Sequence, residues 1–188
     1  MASIRDDDDD DDASITLPTL PYGYRTKLFD WTELQQIVRS NDLGRLARSV
    51  TQQHAYEVHK RNLRRTWTSV TDHILCTKFG LPRKQDEATS LYYCCGRCRE
   101  KEASSTPAKM TVVRNDFPYF LPENKIEHWV LWKLGGRCLE TDIAAAKDEI
   151  QQNEGHCYVD FLHWINPPEL QSLPDIDHVH ILCLRGES

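Results

Sequence analysis

Apolar positions change period once along this 188-residue chain, and the change divides a helical first half from a stranded second half. Asp30 can cap a helix in which Trp31, Leu34, Ile37 and Val38 form one stripe, with Glu33 completing a capping box. Asn41 opens a short second helix carrying Leu43 and Leu46, and Ser49 caps a longer one through Arg65. A fourth helix covers residues 69–79, where Val70, His73, Ile74 and Phe79 are spaced for burial before Gly80 and Pro82 stop it. Residues 83–108 turn polar and irregular and read as a loop or insertion. Beyond them, residues 110–114, 127–132, 157–164 and 177–184 are short runs rich in β-branched and aromatic side chains, bounded by Pro, Gly and Asn. One helix over 141–152 separates the second run from the third. The predicted fold class is α+β: N-terminal helices packed with a small, mainly antiparallel sheet, forming a single domain over 17–188.

Composition refines this picture at the ends of the chain. A 39% hydrophobic content suits one core. The formal charge of −6 is concentrated in the unbroken aspartate run from Asp6 to Asp12; without it, 22 acidic residues face 23 basic ones. Residues 1–16 therefore read as a disordered acidic tail, and a homopolymer lacks the spaced oxygens of a calcium loop. A nearly neutral body offers no general field for nucleic acid or an anionic membrane, so neither is expected as a partner. No stretch approaches the roughly 20 apolar residues of a membrane span, and the first residues lead into aspartates instead of an apolar signal core. The expected location is the cytoplasm, with the nucleus as a second compartment. Seven cysteines, an odd number, fit reduced thiols better than a disulfide scaffold.

Candidate chemistry concentrates in the last third. In a strand running from Asp177, His178 and His180 share one face about 7 Å apart, while Val179 and Ile181 face the other way. Two such imidazoles could serve as nucleophile and orienting partner, or as two metal ligands; the plainer alternative is a pair of half-buried rings bonded to carbonyls. A second strand carries His128, with Val130 and Trp132 on the same face, so three imidazoles converge if the two strands are neighbours. Asn166, Gln171 and Ser172, around two prolines, supply amide and hydroxyl groups that suit a phosphate or carbonyl oxygen, or simply build a turn.

Other patterns weaken on inspection. His54 and His59 lie five apart, about 140° around a helix, and cannot share a metal. Cys95 to Cys98 form a C-x-x-C without a second pair. The basic residues Lys60, Arg61, Arg64 and Arg65 suit a solvated helix face. Neither a P-loop nor a G-x-G-x-x-G is present.

Four blocks carry a family resemblance: residues 29–41 from Phe29-Asp30-Trp31, residues 67–75 from Trp67, residues 117–132 with Phe117-Pro-Tyr119 and Glu127-His128-Trp129, and residues 164–180 with Trp164-Ile-Asn166 and His178-Val-His180. In this order they resemble the fungal N-acetylglucosamine-induced proteins, a family of unknown function, over roughly residues 20–184. The name implies a link to amino-sugar response without a mechanism. Asn166, Gln171-Ser172 and His178-Val-His180 are also similar in order to histidine-triad nucleotide hydrolases and transferases, which implies a histidine-triad-like sheet and a histidine attacking phosphorus. This chain departs from that pattern at Leu182, where a third alternating histidine would fall.

The resulting expectation is an enzyme acting on a small phosphorylated or nucleotide-sugar substrate. His178 or His180 would be nucleophile or general base, His128 would orient them, and Asn166, Gln171, Ser172, Tyr119, Trp132 and Glu127 would bind substrate. No cofactor is required; the alternative is a divalent metal held by His128, His178 and His180. The rival class is a non-catalytic small-molecule-binding or regulatory protein, with Tyr119, Trp129, Trp132 and Trp164 as a pocket wall.

Overall fold

Asp30 accepts a hydrogen bond from the Glu33 amide at 2.8 Å and starts α1 (Trp31–Ser40). This is one of four helices and six strands in a computed structural model that describes residues 15–95, 109–153 and 157–186. The Glu33 carboxylate does not return to its own cap. It grips Arg25 through two bonds of 2.9 Å instead. Asn41, expected to open a second helix, ends the first: it takes a left-handed conformation (φ 56°) and its amide bonds back to Ile37 and Val38. Only a single 3-10 turn, Leu43–Arg45, follows.

A full capping box forms at α2 (Val50–Thr66), where Ser49 and Gln52 exchange side-chain and backbone bonds. Ser69 caps α3 (Val70–Thr77) with its hydroxyl alone, which accepts from the Asp72 amide at 3.0 Å. The segment after Pro82, expected as a loop, contains a hairpin of β1 (Arg83–Gln85) and β2 (Tyr92–Cys94), and Asp72 on α3 accepts from the Cys94 amide and ties the hairpin to the helix. The acidic run and Cys98 lie outside the described residues.

The main sheet is antiparallel throughout, in the order β3 (Lys109–Arg114), β4 (Ile126–Leu134), β6 (Asp177–Arg185), β5 (Tyr158–Trp164). Alternation gives it two unlike faces. On one, Trp129, Leu131, Val179, Ile181 and Cys183 pack against Ile143, Ala146 and Ile150 of α4 (Glu140–Asn153). Val179 and Ile181 are fully buried, worth about 1.5–3 kcal/mol each. On the other face, Leu182 and Trp164 meet Phe29, Leu34 and Ile37 of the α1 layer. Trp31 and Gln35 both donate to Asp160 of β5, at 2.9 and 3.0 Å, and pin α1 there. The protein is α+β. Among the described residues, no helix is long and apolar enough to cross a membrane.

Candidate functional site: a histidine-lined cavity

Between α2, α3 and this second sheet face lies a cavity of about 350 Å³. Register sets the strand contribution: Trp132 opposes His178 and Val130 opposes His180, so these four project together into the cavity. The loop after β3 adds Asn115, Phe117 and Tyr119, the loop after β5 adds Asn166 and Ser172, the segment before α2 adds Arg48, and the helices add Tyr56, His59 and His73.

The three predicted imidazoles do converge. Nε2 of His128 lies 3.0 Å from Nδ1 of His180, and Nε2 of His180 lies 3.1 Å from the Asn166 amide nitrogen. Their proton arrangement follows from one fixed donor. The Trp164 indole N–H can only donate, and it meets Asn166 Oδ1 at 3.0 Å, so the Asn166 amide must turn its NH₂ toward His180. His180 therefore accepts at Nε2 and donates from Nδ1 to His128. Asn115 Nδ2 sits 3.3 Å from both nitrogens of His128, over the ring face, and selects neither.

Stacking closes the pair off. Tyr119 lies on His128 with centroids 5.0 Å apart, and Trp164 lies on His180 at 5.3 Å. Burial, then His178, then the Arg48 charge push the His180 pKa down to about 3. Burial, His180 and Arg48 lower His128 in the same sense. Both rings are neutral.

His178 differs. It donates from Nδ1 to the Ile176 carbonyl at 2.9 Å, which leaves the Nε2 lone pair, alone among the three, without a partner among the described residues. Two further buried polar atoms of wall residues, Trp132 Nε1 and His73 Nδ1, likewise have none.

Several expected roles change. His128 stands behind His180 and does not line the cavity. Glu127 is on the wrong face, since its neighbour His128 points inward and successive strand residues point oppositely; it is buried among Tyr158, Trp129, Arg114 and Arg185. Trp129 is on that same face, in the core under α4. Gln171 bonds the Asn166 carbonyl at 2.7 Å and shapes the turn without reaching the cavity. Leu182, the third alternating position of β6, is sealed beneath α1. The three histidines do not fit a shared metal: His128 and His180 point nitrogens at one another, while His180 and His178 spend others on Asn166 and Ile176. No group of three or more metal-ligating side chains occurs among the described residues.

Arg48, Tyr56, Phe117 and His73 escaped sequence reasoning. Arg48 had one local signal, its place just before the capping Ser49.

The family model described as "Protein of unknown function (DUF3605)" matches residues 30–184. A Candida albicans protein named N-acetylglucosamine-induced protein 1 is 26% identical over 184 residues, covering 82% of this chain and 67% of that protein. A solved structure described as "Crystal Structure of HTC1" superposes with a TM-score of 0.48 at 22% identity, covering 82% of this chain and 84% of that one.

Proposed function

This chain belongs to the DUF3605 family of unknown function, and from its cavity we propose that it binds a compact polar metabolite of about monosaccharide size. The observation that carries this reading is a cavity of about 350 Å³ whose wall carries the open Nε2 of His178 beside two residues, Trp132 and His73, with buried Nε1 and Nδ1 atoms that no described residue satisfies. Each of these two buried atoms costs about 1–3 kcal/mol while unpaired, which a ligand's hydroxyl or carbonyl groups would relieve. The volume of about 350 Å³ is near the lower end of the usual 300–1,000 Å³ and favours a sugar or sugar phosphate over a nucleotide sugar. Rings from Tyr56, Phe117, Tyr119 and Trp132 supply flat apolar walls for such a molecule. The name of the Candida albicans relative makes amino sugars and their phosphates the first compounds to test. Residence in the cytoplasm or nucleus, where thiols stay reduced, belongs to the same proposal.

A second reading adds catalysis on this ligand, with His178 as general base, and it rests on the open Nε2 lone pair. His180 is then a positioning residue, because both its nitrogens are engaged. Thermal-shift and calorimetric titration with hexoses, N-acetylhexosamines and their phosphates tests the binding reading. Saturable stabilisation by at least one compound is expected; a flat response to all overturns it. Product formation by the wild type, lost in His178→Gln with binding retained, decides for catalysis. Binding without turnover decides against it.

A further inference from the structure

Arg48 is a cation in an unusual setting. Its guanidinium lies on the cavity wall, 4.3 Å from the Tyr56 ring centroid and 5.8 Å from that of Tyr119. Its acceptors are all neutral: Nε and Nη2 bond the Phe117 carbonyl at 3.0 and 2.7 Å, and Nη1 bonds Gln53 Oε1 at 3.2 Å. Among the described residues no carboxylate pairs with it. Glu57, which Lys60 already pairs, acts on it only from beyond contact distance. A half-buried guanidinium with only neutral contacts is still costly to desolvate, and an anion brought to it would offset that cost.

The other charged groups on this wall are already paired. Lys60 meets Glu57 at 2.9 Å, and Asp116 meets Lys78 at 2.8 Å. These pairs cancel, and Arg48 leaves the cavity one positive charge in surplus. Three of the five guanidinium N–H groups are used, so one is left on each terminal nitrogen.

We propose that Arg48 is the anion-binding residue of this cavity, and that the ligand carries one phosphate or carboxylate group which the guanidinium receives while the remainder reaches toward Trp132 and His178. This inference rests on the cavity-binding reading and narrows it to an acidic metabolite. Register gives the ligand its direction: Trp132 and His178 lie one cross-strand pair beyond Val130 and His180, along the same sheet face. A charge-assisted contact at one end, with the Trp132 N–H donor and the His178 Nε2 acceptor at the other, would bind one orientation of a polar, ring-sized molecule.

The test is calorimetric titration of the full chain with matched probes: a hexose, the corresponding hexose 6-phosphate and the corresponding hexuronate, with inorganic phosphate as competitor. The acidic members should bind at least about ten-fold more tightly than the neutral one. The better of the two distinguishes phosphate from carboxylate. Arg48→Gln should erase that preference while binding of the neutral hexose persists, and Arg48→Lys should restore part of it. Lys60→Gln should leave the preference in place. If Arg48→Gln does not fold, the wild-type ratio, Arg48→Lys and Lys60→Gln decide. Equal binding of neutral and acidic probes overturns the inference and leaves the cavity reading standing. Loss of the preference in Lys60→Gln, or its full survival in both Arg48 variants, also overturns it. Failure of every probe, neutral and acidic, removes both readings together.

Discussion

His128 and His180 touch diagonally across β4 and β6. They are not register partners, since His128 opposes Leu182 and His180 opposes Val130, yet Nε2 and Nδ1 meet at 3.0 Å. The contact works only if one nitrogen carries the hydrogen and the other does not. Burial is the first cause that lowers both pKa values; the His180 charge adds to it at His128, the His178 charge at His180, and Arg48 at each.

Folding should therefore weaken in mild acid. The folded-state pKa values lie below the ordinary 6.5, so the unfolded chain takes up protons first as pH drops. The full contribution is present above pH 6.5 and is lost as pH falls toward about 3. Each histidine adds a slope of up to about 1.4 kcal/mol per pH unit in that window. His73 and His163, also lowered by burial, act in the same direction. Urea denaturation at pH 7.5 and 5.5 should show the decline, and His180→Gln should flatten it.

Asn166→Asp should reverse the proton arrangement of the pair. A carboxylate can only accept, so the Trp164 indole keeps its partner while His180 must place a proton on Nε2. The His180 pKa should rise, visible as a titrating imidazole in ¹⁵N-resolved NMR spectra. An unchanged, non-titrating ring would contradict the assignment of tautomers.

Glu127→Gln should cost about 2–3 kcal/mol in chemical denaturation without altering ligand affinity. Burial works to raise the Glu127 pKa, but its bonds from Tyr158, Arg185 and Trp129 outweigh this and hold it below the usual carboxylate range. An amide presents an NH₂ where those donors need an oxygen. A change in ligand affinity would show that the two sheet faces communicate.

Trp132→Phe removes an N–H that nothing in the described chain uses. Stability should change by less than about 1 kcal/mol, because no intramolecular bond is broken. Ligand affinity, measured by calorimetry, should fall about five- to ten-fold if the indole meets the ligand. A large stability loss with unchanged affinity would make the indole a purely packing group.

Sequence periodicity carried much of this architecture. Ser49 and Ser69 marked their helix starts, and the alternation around His178 and His180 foretold which residues share a face. The same alternation, applied to Glu127, places it on the face opposite His128, away from the cavity. Asn41 was ambiguous because its side chain suits a helix start and its backbone tolerates the left-handed conformation of a helix end. The hairpin of Arg83–Gln85 and Tyr92–Cys94 is tied to α3 by the contact of Asp72 with Cys94, 22 positions apart, which no local pattern reveals. Arg48 was hidden for the same reason: its partners Phe117 and Tyr119 come from a distant loop.

Strand β6 interleaves two unrelated duties, with Val179, Ile181 and Cys183 anchoring α4 while His178 and His180 look into the cavity. Sliding it by a single position would thrust imidazoles among aliphatic neighbours and strand isoleucine in a polar chamber. Misalignment is thereby punished twice, so the groups that equip the chamber also proofread the assembly of the sheet.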